Sequence, residues 1–246
     1  RSSLVAQYMS TRMAMLVRLV TRKTDDSRKD ALARPCQKTA RGGLTCINRT
    51  SLSEPMQDAP HFFGYGSLVN RATHAYPSAH RARARGWRRV WRHARLRPVA
   101  FLSVEPAPGA EIEGLIAAVP GGDWAALDAR EAAYRRHAVT REVAHEAPHR
   151  PEIALYRLPD QGHAAPCEAH PILLSYIDVV VQGYLREFGR AGAERFFETT
   201  AGWDAPVLDD RAAPRYPRHQ RLDAGERDFV DAMLRALSAP VMRPAG

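Results

Sequence analysis

The stretch His61-Phe-Phe-Gly-Tyr-Gly-Ser-Leu68 joins a short apolar run to a turn that carries two glycines. His61, Phe62 and Phe63 suit a buried strand. Gly64 and Gly66, on either side of Tyr65, remove the side chains that would block a close approach to the backbone. Ser67 adds a hydroxyl. Successive N–H groups in such a turn make a concavity suited to a carboxylate or a polarised carbonyl oxygen. A strand ending in Gly-x-Gly-Ser is also a common ordinary turn, so the loop marks a candidate site that other residues must complete.

Outward from this loop, Gly86 to Ala94, Pro98 to Val104 and Ile112 to Val119 read as strands rich in Trp, Val, Ile and Phe. The arginines interleaved with them are expected on a solvated face, their stems covering apolar surface, and not as a platform for stacking RNA. Pro120-Gly-Gly122 stops the third strand, and Asp123 is placed to cap a helix from Trp124 to Arg136. Ala138 to Glu146 and Ile153 to Leu158 read as further strands. Pro171 opens a long helix to about Phe188 with Leu174, Ile177, Val181, Leu185 and Phe188 at helical spacing. A shorter helix from Ala191 to Thr200 follows, then a proline-punctuated strap from Trp203 to Leu222. A last helix is capped by Asp223, with Phe229, Met233, Leu234 and Leu237 inward. The pattern is α+β, a mixed β-barrel or sheet with surrounding helices.

Trp124, Leu127, Glu131 and Tyr134 fall on one face of a 3.6-residue repeat, which turns Glu131 inward and leaves Arg130 and Arg135 exposed at its flanks. Burial disfavours the charged form of a carboxylate and suits it to proton transfer. An internal ion pair with one of the many arginines accounts for the same pattern.

Three short motifs resemble the gamma-glutamylcyclotransferase superfamily, near its glutathione-specific branch and its bacterial members. Phe63-Gly-Tyr-Gly-Ser-Leu68 is similar to the family's substrate-binding loop, Leu127-Asp-Ala-Arg-Glu131 to its Leu-Asp-x-x-Glu signature, and Ser175-Tyr176 to a later substrate contact. The likeness spans about residues 60 to 190, with a weaker one in Gly202-Trp-Asp-Ala-Pro206 and the strap from Arg211 to Arg218. The resemblance implies a closed or nearly closed β-barrel with helices around it. It implies an enzyme that needs no metal or cofactor and takes a small γ-glutamyl amide as its substrate. The substrate's α-amine attacks its own γ-carbonyl and releases 5-oxoproline and an amine. Glu131 is then the catalytic acid and base, and Tyr65, Gly66, Ser67, Leu68 and Tyr176 hold the substrate. Ala132-Ala133 stands where the family has glycines, and Asn70 where the glutathione-specific branch favours tryptophan. Glutathione, a γ-glutamyl amino acid and a γ-glutamyl amine all stay open as substrates, and a non-catalytic ligand-binding protein of the same fold is the alternative.

The chain of 246 residues has a formal net charge of +9, a value that raises nucleic acid as a partner. Residues 1 to 55 hold 11 Lys+Arg against 4 Asp+Glu, leaving 25 against 23 in the rest, so residues 56 to 246 are near neutral and no nucleic-acid partner is expected. All three lysines, Lys23, Lys29 and Lys38, precede Met56. This boundary suggests a disordered N-terminal extension over residues 1 to 55, with synthesis beginning at Met56, and a gamma-glutamylcyclotransferase-like domain over 56 to 246. The rival reading is a targeting segment at Met13-Ala-Met-Leu-Val-Arg-Leu-Val20, where Arg18 interrupts the apolar run and excludes a membrane span. Cys167, the one cysteine of the presumed domain, points to a reducing compartment, and we expect the cytoplasm. His145-Glu-Ala-Pro-His149 fits the zinc-protease pattern, but Pro148 and Pro151 forbid the helix that the pattern needs, so no metal is expected there. Ser67 lacks the Gly-x-Ser-x-Gly elbow of a nucleophile.

Overall fold

The computed structural model describes residues 59–94 and 98–243. The expected extension over residues 1 to 55, the start at Met56 and the apolar run from Met13 to Val20 lie outside them.

Strand β1 (His61–Gly64) is buried along its whole length. It runs antiparallel to β3 (Ala100–Ala118) on one side and parallel to β6 (Ile153–Arg157) on the other. Burial of alternate residues on both faces of the sheet explains why it reads as a continuous apolar run and not as an alternation. The three strands expected between residues 86 and 119 are two. β2 (His80–Ala94) and β3 form one long antiparallel ribbon, whose pairing jumps from Arg85↔Glu111 to Trp87↔Pro106. Residues 107–110 bulge out of the ladder there. Gly86 sits opposite with φ of 77°, a value that glycine adopts without strain.

On its free edge β2 pairs with β5 (Val143–His145), β7 (His163–Ala164) and β9 (Thr200–Ala201). β3 continues through β8 (Ile172–Leu173) and β10 (Val207–Leu208) to β11 (Val241–Met242), while β6 leads to the outer β4 (Arg135–Ala138). The result is a mixed sheet with a few helices, α+β as the pattern indicates. The sheet is not closed into a barrel.

Helix α1 (Ala125–Arg130) is much shorter than expected. α2 (Leu174–Glu198) is buried on all sides from Leu174 to Tyr184 and is broken at Gly189, whose φ of 66° separates the two helices read from the sequence. α3 (Ala224–Ala236) starts with a capping box between Asp223 and Glu226 and buries Phe229, Val230, Met233 and Leu234. Among the described residues no helix is long and apolar enough to cross a membrane.

The arginines of β2 divide. Arg83, Arg85, Arg88 and Arg92 pair across the ribbon with Glu105, Glu111 and Glu113 in the manner of a solvated face. Arg89 is only 1% exposed, which corrects the expectation for this position. Its guanidinium donates to Thr200 Oγ1 (3.1 Å), the Glu113 carbonyl (2.9 Å), Tyr184 Oη (2.8 Å) and Thr199 Oγ1 (2.6 Å). Neutral acceptors thus satisfy a buried cation and tie β2 to α2.

Candidate active site

β1 delivers the glycine loop into a turn of 3-10 helix at Ser67–Val69. The Val69 amide donates to Gly66 O (2.9 Å) and the Asn70 amide to Ser67 O (3.1 Å), while the amides of Ser67 and Leu68 start the turn and have no carbonyl partner within it. A Cβ on Gly64 would stand 2.6 Å from Leu68 Cβ, and one on Gly66 would stand 2.8 Å from Tyr176 Oη. Gly66 has φ of −116°, so it is required for close approach and not for its backbone conformation. Asn70 fastens the end of the turn to α2 through Nδ2, which donates to Val179 O (2.9 Å) and Gln182 Oε1 (3.0 Å). Gly183 makes room, since a Cβ there would lie 2.7 Å from the Asn70 nitrogen. Asn70 is therefore a pin between loop and helix.

Glu131 caps the C-terminus of α1, its amide donating to Leu127 O at 2.9 Å. The helix expected to reach Arg136 ends here because tertiary contacts override propensity. Tyr134 turns back on Glu131 O (2.7 Å), its hydroxyl donates to Leu102 O (2.9 Å), and Arg135–Ala138 leave to pair with β6. The apolar stripe survives the change: Leu127 is fully buried against Phe62 and Tyr156, with Trp124 and Tyr134 packed on that cluster. The aspartate of the Leu-Asp-x-x-Glu stretch is a brace. Asp128 accepts from the Tyr156 hydroxyl and pairs with Arg136 at 3.2 Å, fixing α1 to β6.

Arg130 is not the exposed flank that was expected, although Arg135 is. Its side chain is 8% exposed, and its Nε lies 3.2 Å from Glu131 Oε1, whose side chain is 17% exposed. The same guanidinium donates to Thr73 O (3.1 Å) and Ser67 Oγ (3.3 Å). The ion pair considered for Glu131 thus exists, inside the site, and it clamps the carboxylate to the glycine loop.

Two adjoining chambers share part of their lining. The inner one, of about 40 Å³, is walled by Phe63 to Leu68, Leu102, Glu131, Tyr134, Tyr156 and Tyr176. The outer one, of about 130 Å³, shares Ser67, Glu131, Tyr134 and Tyr176 and adds Phe101, Arg130, Ala133 and the strap residues Tyr216, Pro217 and Arg218. Tyr65, Gly66, Ser67, Leu68, Tyr176 and Glu131, all proposed from sequence, line this one cavity. Tyr156, Leu102 and the strap residues were not foreseen. Burial pushes the phenols of Tyr65, Tyr134 and Tyr176 well above their ordinary range, and the Glu131 charge adds to the shift of each. They are therefore neutral near pH 7. Tyr65 and Tyr134 spend their protons on the chain, Tyr65 Oη donating to Tyr156 O at 2.6 Å. Ser175 stays outside the cavity, its hydroxyl donating to Asp210 at 2.6 Å. Among the described residues no group of three His, Cys, Asp or Glu side chains is arranged to hold a metal ion.

Residues 62–173 match the family model described as gamma-glutamyl cyclotransferase, AIG2-like. This matched segment, somewhat under half of the chain, is similar to the gamma-glutamyl cyclotransferase family. The matched segment holds the glycine loop and Glu131, while Tyr176 and the strap lie beyond it. A solved gamma-glutamyl cyclotransferase is 15% identical with a TM-score of 0.43, covering 71% of this chain and 99% of its own. An uncharacterized human protein is 16% identical at a TM-score of 0.44, with coverage of 71% and 99%. A yeast gamma-glutamyl cyclotransferase specific to glutathione is 15% identical at 0.37, with coverage of 74% and 96%. No curated protein matches the sequence significantly.

Proposed function

We propose that this protein is a gamma-glutamylcyclotransferase-like enzyme of the cytoplasm that cleaves a γ-glutamyl amide by intramolecular aminolysis. The observation that carries the reading is the meeting of the Glu131 carboxylate and the Tyr65 to Leu68 loop in one cavity. The substrate's α-nitrogen bonds to its γ-carbonyl carbon, the bond from that carbon to the leaving nitrogen breaks, and a five-membered lactam results. Glu131 accepts the proton that the α-amine loses and returns it to the leaving nitrogen. Arg130 fixes the direction of that carboxylate. The amides of Ser67 and Leu68 face an anionic oxygen of the glutamyl end, and Tyr176 supplies a hydroxyl beside them. Folding the substrate so that its amine reaches its own carbonyl does the remaining work, and no protein nucleophile takes part.

The test is incubation of the purified protein with glutathione, a γ-glutamyl amino acid and a γ-glutamyl amine, with 5-oxoproline measured by mass spectrometry. Release from at least one of them is expected. Absence of 5-oxoproline from all of them, in folded protein, overturns the proposal.

A further inference from the structure

The strap over the outer chamber is fastened from beneath. Asp210, buried at 2% exposure, accepts from the Ser175 amide (2.8 Å), the Ser175 hydroxyl (2.6 Å) and the Arg215 amide (2.8 Å). The Tyr216 amide donates in turn to Ser175 Oγ at 3.3 Å. These buried bonds fix where the strap crosses the start of α2. The Tyr216 ring then meets the Tyr176 ring edge to face at 4.9 Å, and Pro217 and Arg218 follow along the cavity wall. Ser175 therefore positions the strap that its neighbour Tyr176 touches.

The charges of the outer chamber do not balance. Among the described residues its lining holds two guanidiniums, Arg130 and Arg218, against one carboxylate, Glu131. Arg130 is committed to Glu131, Thr73 and Ser67. Arg218 makes no ion pair or side-chain hydrogen bond with the described residues, and neither does the Tyr216 hydroxyl. One positive charge and one phenol thus line a space of about 130 Å³, room for about four water molecules at about 30 Å³ each. The inner chamber, beside the loop amides, is the smaller, and the glutamyl end is placed there by the functional reading above. Only the amine side of the substrate extends outward from it.

We propose that the outer chamber receives the departing amine and that Arg218 pairs with a carboxylate carried by it. The protein then prefers γ-glutamyl amino acids and peptides to γ-glutamyl amines whose leaving group is neutral. Arginine suits the task because its planar fork meets both carboxylate oxygens and remains charged at any working pH. The inference rests on the cyclotransferase reading of the site and adds to it a specificity-determining residue beyond the segment that the family model matches.

The test compares γ-glutamylalanine with γ-glutamylalaninamide, which differ by that one charge. In the wild-type protein kcat/KM for the acid exceeds that for the amide by about tenfold, the scale of one charge-assisted hydrogen bond. In Arg218→Gln the ratio falls to near one, and in Arg218→Lys part of it returns. The exposed position of residue 218 lets both variants be checked for unchanged thermal unfolding. Equal kcat/KM for acid and amide in the wild type, or an undiminished ratio in Arg218→Gln, overturns this inference while leaving the cyclotransferase reading intact. Failure of both substrates to yield 5-oxoproline, when glutathione and a γ-glutamyl amine fail too, overturns that reading and this inference with it.

Discussion

Replacing Glu131 by glutamine separates proton transfer from structure, because the change keeps the volume and one acceptor oxygen while removing the basic carboxylate. The structure sets the size of both effects. Glutamine Oε1 is still within reach of Arg130 Nε, now 3.2 Å from the carboxylate, and Arg130 keeps its bonds to Thr73 O and Ser67 Oγ. What is lost is the difference between a charge-assisted and a neutral hydrogen bond, about 1 kcal/mol. For a chain of this size that shifts the melting temperature by about 2–4 °C. This is smaller than the roughly 3–5 kcal/mol of a fully buried pair deprived of one partner, because the guanidinium left behind is not stranded. Catalysis responds on another scale. A positioned general acid and base contributes about 10²- to 10⁴-fold, which at 1.36 kcal/mol per decade is about 3–5 kcal/mol of barrier. Release of 5-oxoproline and thermal unfolding are measured on one preparation, with substrate affinity from calorimetry. The expected result is near-native melting, near-native affinity and turnover lowered by at least a hundredfold. A Glu131→Gln protein that melts much earlier but turns over normally while folded would refute the assignment and leave Glu131 as half of a structural ion pair.

Gly66→Ala places a methyl group 2.8 Å from Tyr176 Oη and 3.6 Å from Leu102 Cδ2, so the hydroxyl must move out of the cavity; KM is expected to rise about tenfold with little change in melting, and unaltered kinetics would show that the Tyr176 hydroxyl is not needed there. Stability is expected to fall with acid: burial lowers the imidazole pKa of His61, His74 and His145 below the unfolded value of 6.5, so the unfolded chain binds more protons, and the stabilisation is complete above about pH 6.5 and lost as pH drops below it. A melting temperature that stays flat from pH 8 to pH 5 would contradict this. Turnover is expected to persist in EDTA, because each proposed step uses a proton carrier or hydrogen-bond donor of the chain; activity lost to the chelator and restored by zinc would return His145 and His149 to consideration.

The legible parts of the fold are those where local pattern and tertiary demand agree. β1 is an unbroken apolar run because its residues are buried on both faces of the sheet. α3 carries its own start signal in the Asp223 and Glu226 capping box. The break at Gly189 was visible as a boundary between two helical patterns, although not as a single left-handed glycine inside one helix. The misread elements are those where distant contacts decide. Nothing local in Trp124 to Arg136, a good helical sequence, announces that Tyr134 will reach for Leu102 O and that β6 will take Arg135–Ala138. The β2–β3 ribbon likewise continues past Pro106 only because the bulge at residues 107–110 removes the irregular stretch from the ladder.

For the site, the readable residues are those whose type is tied to their chemistry at short range: two glycines beside a serine, and a carboxylate in step with Leu127 and Tyr134. Charge partners were less readable, because an arginine looks the same in sequence whether it is solvated, buried or clamped. Arg89 and Arg130 show this, the one satisfied by neutral oxygens and the other by Glu131 and the loop. The two readings of Glu131 turn out not to compete. An inward carboxylate needs something to hold its direction, and a neighbour in sequence at the C-terminus of α1, anchored to Thr73 and Ser67, does so without enclosing it. Both chambers therefore still reach the Glu131 side chain, as the proposed proton transfers require.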